Sequence, residues 1–390
     1  MLAVSEKHLS NLLLSLDHSK CQRLLKHLLN ALGTFSAQQQ HNAKTEGVPK
    51  TIHQPARTSI VSEKWGSTTL FMPVSDDQSS GFKVVTVPRP TNAATPNTGN
   101  KSDSAVTAIR GVINILSPDG GLEGILSAAE ITAFRTALAT MIPFTRCPWI
   151  PKKRIVIFGS GKQAEWHARL ALLTVPDPRE IEEITFINRS HRRLDSTIIS
   201  ILFPDLRQRY PHLVLDAYSR EQEEAKADGE NAYKARLRAD LALSDAIFCC
   251  TPSTTPLFTY DDLIPPTLIS TSQPSSLKER FISLIGSYKP HMQEIDLKTL
   301  LSGPHGAIYV DSIEACMEEA GELIMAQVDA SHLTELGELV LSDDDEAALP
   351  NGSGNVIFKC VGMGIMDLAI GRSLLYMARE QGYGTVLDGF

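Results

Sequence analysis

The chain carries, near its middle, the run Arg154-Ile-Val-Ile-Phe-Gly159-Ser-Gly161-Lys-Gln163-Ala164-Glu-Trp-His167. An apolar strand is followed by a glycine-containing turn and then by a helix, which is the order of a βαβ unit in a parallel sheet. Glycines in this turn let the backbone approach a pyrophosphate, whose charge the free amides of the helix would stabilise. We therefore predict a dinucleotide site that includes Gly159, Gly161, Gln163 and Ala164, the alternative being an ordinary strand-to-helix turn.

The end of the next predicted strand indicates which dinucleotide is bound. This strand, Ile184–Ile187, ends at Asn188, where a site for NAD usually offers Asp or Glu to the ribose hydroxyls. Here Asn188-Arg189-Ser190 leads into Arg192 and Arg193, a set of donors and positive charges suited to a 2′-phosphate. We expect NADP(H) rather than NAD(H), with contacts from Asn188, Arg189 and Ser190. The alternative is a solvated basic turn.

Strand and helix patterns divide the chain into a central part and two flanking parts. The central part continues with four strand candidates: Leu213–Leu215, Ala246–Cys250, Phe281–Ile285 and Ala307–Val310. Before it lie three strand-like runs and a helix: Trp65–Pro73, Gly81–Val87, Ala108–Leu116 and Ser127–Ile142. After Asp311 the chain turns helical, then forms a last strand, Val356–Val361, and a closing helix. The pattern predicts an α/β protein with a doubly wound parallel sheet.

The composition favours two domains and a small-molecule partner. The 390 residues are 42% hydrophobic, which is enough apolar mass for two cores. The formal net charge of −8 provides no general attraction for nucleic acid or anionic lipid. No uncharged apolar stretch approaches the roughly 20 residues needed to span a bilayer. The start, Met1–Leu16, is interpreted as an amphipathic helix and lacks the order of a secretory signal.

The cysteines indicate a reducing compartment. Their spacing shows no paired metal-ligand motif, so we expect no bound metal and reduced structural thiols in a cytoplasmic protein. The six positions are Cys21, Cys147, Cys249, Cys250, Cys316 and Cys360.

Several short blocks, read in order, are similar to the motifs of the ornithine cyclodeaminase and mu-crystallin family. The similarity runs from about Pro55 to the C-terminus. The blocks are Pro55-Ala-Arg57, Phe71-Met-Pro73, Gly81-Phe-Lys83, Glu130-Ile-Thr-Ala-Phe-Arg135-Thr-Ala, the Gly159 turn, Thr251-Pro-Ser253, Ile285-Gly286-Ser287, Glu319-Ala-Gly-Glu-Leu323, and Phe358-Lys-Cys-Val-Gly362 through Asp367.

The resemblance implies a domain organisation and an assembly. It implies an α+β substrate-binding and dimerisation domain built from both chain ends, residues 1–140 and 320–390. A Rossmann NADP-binding domain, residues 141–319, is inserted between them. It also implies a homodimer and a small amino or imino acid as substrate.

Three cations in the matched blocks are candidates for holding such a substrate. A partly buried carboxylate calls for charged donors, and the resemblance assigns this role to Arg57, Lys83 and Arg135. Lys83 and Arg135 are also our candidates for catalysis. The alternative is a trio of surface cations. It is weakest for Arg135, which lies in an apolar helix where an unpaired charge is costly.

Further residues match family positions near the nicotinamide. They are Thr107, Thr251, Ser253, Cys360, Val361 and Gly362. For Cys360 a buried structural thiol is an equal alternative. His167 is interpreted as a packed or capping histidine, and Asp367, although it matches the family, as a possible cap of the final helix.

One departure from the family bears on the reaction. Ornithine cyclodeaminases place an aspartate just after the glycine of the Ile285-Gly286 block, and here the residue is Ser287. A serine neither holds charge near neutral pH nor acts as a good base unaided. We retain Ser287 as a catalytic candidate. We expect an NAD(P)H-dependent reductase of a cyclic imino acid or an enzyme acting on amino acids. The alternatives are ornithine cyclodeaminase, with an internally recycled cofactor, and a non-catalytic NADP-dependent binding protein.

Overall fold

Two compact units make up the chain in the computed structural model, which describes residues 1–42, 50–88, 109–226, 229–265, 278–340 and 348–389. Unit 1 comprises Met1–Arg135 and Met363–Phe390, and unit 2 comprises Thr136–Gly362.

The secondary structure alternates between strands and helices along the chain. The strands are β1 (Leu2–Val4), β2 (Thr58–Ser62), β3 (Ser67–Ser75), β4 (Ser80–Pro88), β5 (Arg110–Leu116), β6 (Leu122–Ser127), β7 (Arg154–Phe158), β8 (Glu183–Asn188), β9 (Val214–Ser219), β10 (Ala246–Cys249), β11 (Phe281–Leu284), β12 (Ile308–Val310), β13 (Leu333–Glu335), β14 (Val356–Lys359) and β15 (Thr385–Val386). The helices are α1 (Glu6–Leu14), α2 (His18–Asn42), α3 (Ala128–Thr145), α4 (Lys162–Thr174), α5 (His191–Leu194), α6 (Phe203–Arg209), α7 (Arg220–Glu224), α8 (Gly229–Leu243), α9 (Leu297–Leu300), α10 (Ile313–Glu319), α11 (Gly321–Met325) and α12 (Gly364–Glu380). A π-helical segment, Asp195–Leu202, joins α5 to α6.

Unit 1 is built on a sheet with the order β15-β1-β6-β5-β4-β3-β2. Neighbouring strands are antiparallel except β1 and β6, which are parallel. Met72, Lys83 and Ile113 lie opposite one another on β3, β4 and β5, and all three are buried. Helix α12 packs across these strands. Because side chains alternate along a strand, Lys83 is on the covered face of the sheet.

The first residues of unit 1 differ from our prediction. We expected one amphipathic helix over Met1–Leu16, but Leu2–Val4 is a strand and the helix begins at Glu6. Ser5 follows the strand and caps the helix, since its side chain accepts from the amide of His8. The strand pairs with residues far away in sequence, Gly124–Leu126 and Thr385–Val386. A local pattern does not reveal such partners.

Unit 2 is built on a parallel sheet with the order β13-β12-β14-β11-β10-β7-β8-β9. From β7 the chain proceeds to β8 and β9 on one side and then returns to β10 on the other. This is the arrangement of a doubly wound Rossmann sheet, as expected from the sequence, and its switch point lies between β7 and β10. In such sheets a ligand binds at the carboxyl ends of the strands beside this point.

Helices cover both faces of this sheet. On one face, Leu237 and Leu241 of α8 share a buried cluster with Val156 and Ile247. On the other face, the ring of Phe248 lies 5.5 Å from Phe144 of α3 and 5.3 Å from His167 of α4, measured between ring centroids. The strands are therefore buried on both sides, which explains their continuous apolar runs.

The C-terminal boundary of unit 2 differs from the predicted domain boundary. We placed residues 320–390 in the domain built from the chain ends, but residues 320–362 belong to unit 2. The reason is that β14 pairs with both β11 and β12, so it completes the parallel sheet from a distant part of the sequence. The adjoining strand β13 was not predicted. Among the residues described, no helix combines the length and the apolar character needed to cross a membrane.

Candidate active site

Three buried charged side chains meet in unit 1. Lys83, Arg135 and Asp367 have exposed fractions of 2%, 3% and 1%. The Lys83 ammonium donates to Asp367 Oδ2 at 2.5 Å, and Arg135 Nε donates to Asp367 Oδ1 at 3.2 Å. One carboxylate therefore bonds two cations through its two oxygens. This arrangement places two predicted substrate-binding residues side by side.

Asp367 was interpreted from the sequence as a possible helix cap, and this interpretation is wrong. The residue that caps α12 is Met363, and Asp367 lies inside the helix. Its side chain projects from α12 to Lys83 on β4 and Arg135 on α3. The packing of α12 on the sheet brings these groups together, over a separation of 284 residues between Lys83 and Asp367.

The positive charges in unit 1 act on one another. Burial lowers the pKa of Lys83 to about 8, Asp367 opposes this shift, and the nearby charges of Arg135 and Arg57 lower the pKa further. Arg57 is half-buried and lies just before β2. The electrostatic field at Lys83 is thus one in which an additional anion would be stabilised. All three predicted cations contribute to it.

The glycine-rich turn of unit 2 has the geometry that a pyrophosphate requires. Gly159 has φ +120°, and a Cβ there would lie 2.9 Å from the carbonyl oxygen of Cys250. Its amide donates to the carbonyl of Ile187 at 2.9 Å. Gly161 caps α4, and a Cβ built on it would meet no atom within 4 Å. Open space at the N-terminus of a 13-residue helix fits a bound phosphate.

Two further predicted residues on α4 have packing roles as well. Ala164 is fully buried, and the carbonyl of Gln163 bonds to His167 Nδ1 at 2.7 Å. His167 Nε2 also lies 2.9 Å from Thr140 Oγ1. Burial lowers the pKa of His167 to about 4, so the ring is neutral near pH 7. The interpretation of His167 as a packed histidine is confirmed.

The turn after β8 carries the predicted specificity residues. The Asn188 side-chain amide donates to the carbonyl of Ser190 at 2.9 Å, which shapes the turn. Arg189 is exposed and Ser190 is half-buried. Glu221, from α7, reaches the same turn and accepts from the amide of His191 at 3.2 Å. A carboxylate, that of Glu221, therefore lies at the same turn as the exposed cation Arg189. The sequence analysis did not predict Glu221 there.

The loops after β10 and β14 carry the residues predicted to line the nicotinamide end. Thr251 and Ser253 follow β10, and Cys360 to Gly362 follow β14. All five lie at the carboxyl edge of the parallel sheet, and their place at the nicotinamide stays a prediction. The predicted cofactor residue Thr107 lies outside the described residues.

The loop after β14 is held by Asp311, a fully buried carboxylate at the end of β12. Its Oδ2 accepts from the amide of Gly362 at 2.6 Å and its Oδ1 from the amide of Val361 at 3.2 Å. The thiol of Cys360 donates to the same group at 3.2 Å. The Cys360 side chain is thus buried and engaged.

Ser287 lies in a buried polar network of unit 2. Its hydroxyl is 2.5 Å from each carboxylate oxygen of Glu322. Lys359 Nζ donates to the carbonyl and the hydroxyl oxygen of Ser287, both at 2.5 Å, and forms an ion pair with Glu322 at 3.5 Å. These three side chains are 3% exposed or less. The carboxylate near Ser287 is therefore Glu322, and the catalytic role of Ser287 stays a prediction.

Glu294 extends this network to the cofactor edge. Its Oε1 accepts from the amide of Thr251 at 2.9 Å and its Oε2 from the amide of Gly286 at 2.7 Å, while its own amide donates to Glu322 at 2.8 Å. Burial raises the pKa of Glu294, while the charge of Lys359 and the hydrogen bonds from the amides of Thr251 and Gly286 favour the carboxylate form.

Sequence reasoning missed some of these residues although signals were present. Lys359 is a charge at the end of the apolar run Val356-Ile-Phe, and Asp311 follows directly after the apolar strand Ile308–Val310. A charge in or beside a buried strand calls for a partner and marks a polar network. Glu294 lies in a loop and has no such signal.

Comparison with known proteins gives a consistent picture. No model of a protein family matches the chain. An uncharacterized protein of Saccharomyces cerevisiae is 28% identical over 331 residues, which cover 78% of this chain and 80% of that protein. A Delta(1)-pyrroline-2-carboxylate reductase of Bacillus cereus is 25% identical over 343 residues, covering 86% of this chain and 89% of the reductase.

Solved structures share the fold over nearly the whole chain. The Delta(1)-pyrroline-2-carboxylate reductase of Thermococcus litoralis, in complex with NADH and L-proline, has a TM-score of 0.70 at 19% identity and covers 99% of this chain and 100% of its own. A probable ornithine cyclodeaminase from Bordetella pertussis has a TM-score of 0.67 at 20% identity, with 99% and 100% covered. With the ordered motif blocks, the relatives named reductase and cyclodeaminase confirm the resemblance to the ornithine cyclodeaminase and mu-crystallin family, and the solved structures show that the fold is shared.

Proposed function

We propose that this protein is a nicotinamide-dependent reductase of a small cyclic imino acid. The observation that carries the proposal is the buried cluster of unit 1, in which Lys83 and Arg135 share the carboxylate of Asp367 and the charge of Arg57 also acts on Lys83. Such a group of cations suits the carboxylate of a substrate. Relatives of 24–25% identity that match over most of the chain bear the name Delta(1)-pyrroline-2-carboxylate reductase. Their substrate is a small cyclic imine with a carboxylate, which is the chemistry that this site suits.

The cations of unit 1 would bind the substrate through its carboxylate. A guanidinium offers a planar pair of donors, whereas an ammonium offers a compact charge. Arg135 and Lys83 are already oriented by Asp367, so little side-chain entropy is lost when a substrate is bound. Arg57, only half-buried, adds charge from the edge of the unit.

Lys83 also has the proton that the reaction needs. Reduction of a C=N bond adds a hydride to the carbon and a proton to the nitrogen. A donor works best when its pKa is near the working pH, and the pKa of Lys83 is about 8. When bound, the dihydronicotinamide would supply the hydride. Lys83 would therefore donate the proton to the nitrogen.

The test uses the purified protein, NADPH, NADH and a panel of cyclic imino acids that carry a carboxylate next to the C=N bond. We expect oxidation of the cofactor in proportion to the amino acid formed, and a large loss of kcat/KM in Lys83→Met. Absence of turnover across the panel would contradict the proposal.

The same assay separates the other functions of this family. Conversion of ornithine to proline and ammonia with no net change in the cofactor would identify a cyclodeaminase. Ligand binding that depends on NADP(H), without turnover of any substrate and unchanged in Lys83→Met, would identify a binding protein. A serine at position 287 favours reduction over deamination because the neighbouring carboxylate, Glu322, is engaged by Ser287 and Lys359.

We further propose that NADP(H) is preferred over NAD(H). No carboxylate ends β8, and Arg189 is an exposed cation on that turn. Glu221 works in the opposite direction, since its charge at the amide of His191 would repel a 2′-phosphate. The preference therefore depends on the balance between Arg189 and Glu221.

Two substitutions test this balance. Arg189→Ala should weaken NADPH binding by about tenfold or more, because it removes a charged hydrogen bond to the 2′-phosphate. NADH has no 2′-phosphate, so its binding should be nearly unchanged. Glu221→Gln should strengthen NADPH binding selectively. Dissociation constants for both cofactors, measured by titration calorimetry, decide the point, and equal effects on both would overturn the preference.

We also propose that two copies of the chain pair through the sheet of unit 1. Ile60, Phe82 and Val112 lie on the face opposite Lys83, with exposed fractions of 57%, 41% and 38%. Apolar side chains grouped on one sheet face favour association.

We propose the cytoplasm as the location of the protein. The six cysteines are free thiols, which supports a reducing compartment.

A further inference from the structure

Every polar group of Glu294, a buried acid of unit 2, is engaged in a hydrogen bond. Its two carboxylate oxygens accept from the amides of Thr251 and Gly286. Its own amide donates to Glu322, and its carbonyl accepts from the amide of Leu257 at 2.7 Å. The side chain is fully buried. Glu294 therefore joins the loop after β10 to the loop after β11.

The two loops that it joins are in close backbone contact. A Cβ on Gly286 would lie 2.1 Å from the carbonyl oxygen of Thr251 and 2.6 Å from Glu294 Oε1. Only glycine fits there, so the separation of the loops is set by backbone atoms and one carboxylate. A rigid pair of loops results, and both end at the carboxyl edge of the sheet.

The second layer of the network fixes Glu294 itself. Glu322 holds the amide of Glu294, while Lys359 holds the backbone carbonyl of Ser287. The loops after β10 and β11 are thereby connected to the last residue of β14 through buried hydrogen bonds. Such a network holds a single arrangement, because each lost bond would leave a buried polar group without a partner.

We propose that Glu294 is a positioning residue: by bridging the amides of Thr251 and Gly286, it fixes the Thr251–Ser253 loop that lines the nicotinamide end of the cofactor. The inference rests on the proposed function, because it requires that the nicotinamide lies at this loop. Glu294 itself is buried below the loop and acts through it. Hydride transfer is sensitive to such positioning, since a displacement of about 1 Å can cost on the order of a hundredfold in rate.

The test compares Glu294→Gln with Asp245→Asn. Glutamine has the same shape, but an NH2 group replaces one of the two accepting oxygens. This NH2 group would face a backbone N–H, so one hydrogen bond to a loop is lost. Asp245 is a matched control: it is also buried and accepts from a backbone amide, that of Arg154, but it precedes β10 and lies at the amino end of the sheet. Loss of stability alone should appear in both variants.

We expect Glu294→Gln to lower kcat by about 10- to 100-fold, with less than about a threefold change in KM for the imino acid or in the dissociation constant of NADPH. The pyrophosphate turn at Gly159 is untouched, which is why binding persists. Asp245→Asn should leave kcat unchanged. In the protein without cofactor, hydrogen exchange at the amides of Thr251 and Gly286 should accelerate in Glu294→Gln only.

A second variant keeps the inference open to refutation if Glu294→Gln does not fold. Gly286→Ala retains Glu294, but the added methyl group would crowd both Glu294 Oε1 and the carbonyl of Thr251 and push the same loops apart, so it should reproduce the loss of kcat. Unchanged kcat in Gly286→Ala, or unchanged exchange at Thr251 in Glu294→Gln, overturns the role of Glu294. If instead the wild-type protein neither binds nor oxidises NAD(P)H, the proposed function itself fails.

Discussion

The ammonium of Lys83 gives up its proton more readily than that of a solvent-exposed lysine, because burial and two neighbouring guanidinium groups lower its pKa to about 8. Above that pH the site loses both a charge for the substrate carboxylate and a proton for the nitrogen. We expect kcat/KM to be level below pH 8 and to fall about tenfold per pH unit above it. The pH profile with saturating cofactor measures this.

Lys83→Arg is the control for this profile. A guanidinium stays charged throughout the accessible range, so the variant should bind substrate at high pH although its rate is reduced by the loss of the proton donor. A fall at the same pH in Lys83→Arg would show that another group causes it.

Asp367 stabilises two buried cations at once, and Asp367→Asn should therefore be costly. Removing one partner of a buried ion pair leaves an uncompensated charge, which lowers the free energy of unfolding by about 3–5 kcal/mol. The pKa of Lys83 should fall further, since Asp367 raises it. Urea denaturation measures the first effect, and the midpoint of the kcat/KM profile measures the second.

Glu182→Gln provides the comparison for Asp367. Glu182 pairs with Lys153 at 2.7 Å, but their side chains are 52% and 61% exposed. An exposed ion pair contributes little, so this variant should unfold at nearly the same urea concentration as the wild type. Equal losses in the two variants would mean that burial does not determine the value of the Asp367 pairs.

The site residues that could be predicted from the sequence lie in recognisable motif blocks. Those that could not be predicted depend on long-range contacts or on backbone groups. Lys83 and Arg135 were identified because they fall in blocks shared with a family. The partner, Asp367, was assigned a local role because a helix start explains an aspartate without any long-range contact. Glu294 gave no signal, since its function depends on amides that any residue would supply. Hydrogen bonds to backbone amides cannot be predicted from residue types, because nearly every residue has such an amide.

Among the elements, the turn between β7 and α4 allows two glycines to be compared. Gly161 has ordinary backbone angles, with φ −92°, and open space beyond its Cα. Gly161→Ala should keep the thermal midpoint of unfolding but weaken NADPH binding, because the added methyl group occupies the space that we assign to the pyrophosphate. Calorimetry and thermal unfolding measure the two effects.

Gly159→Ala should behave differently. At φ +120° an alanine is strained, and its Cβ would contact the carbonyl of Cys250, so about 1–3 kcal/mol of stability should be lost together with cofactor binding. Unchanged NADPH binding in Gly161→Ala would indicate that the cofactor does not lie at this turn.

The elements could be predicted where the pattern is local. The alternation of apolar strands and helices from β7 to β12 follows from hydrophobic periodicity, because strands buried on both sides appear as short continuous apolar runs. The strand β1 was taken for part of a helix, since three residues are too few to show a period. The strand β13 was missed for the same reason. The place of β14 in the sheet depends on its pairing with β11 and β12, which no window of sequence contains.

For the whole molecule, the exposed apolar face of unit 1 predicts its assembly. Phe82→Asp should convert the proposed dimer to a monomer, because the carboxylate would be buried without a partner in the interface. Sedimentation or light scattering at several protein concentrations measures the mass in solution. Tyr376→Asp is the control: Tyr376 is 62% exposed on α12, the helix that covers the other face of the sheet. A monomeric wild type, or dissociation in both variants, would contradict this interface.

The pairing of β1 with β15 has a consequence for how the protein is made. The amino group of Met1 donates to the carbonyl of Leu387 at 3.0 Å, and β1 lies between β6 and β15 in the sheet. Unit 2 is one continuous segment, so the ribosome delivers all of it before the closing helix α12 appears. Unit 1 cannot complete its fold until residues 363–390 have been synthesised, and until then α12 does not cover the strands made earlier. During translation the cofactor domain can therefore fold first, and the half-made unit 1 is the part most in need of a chaperone.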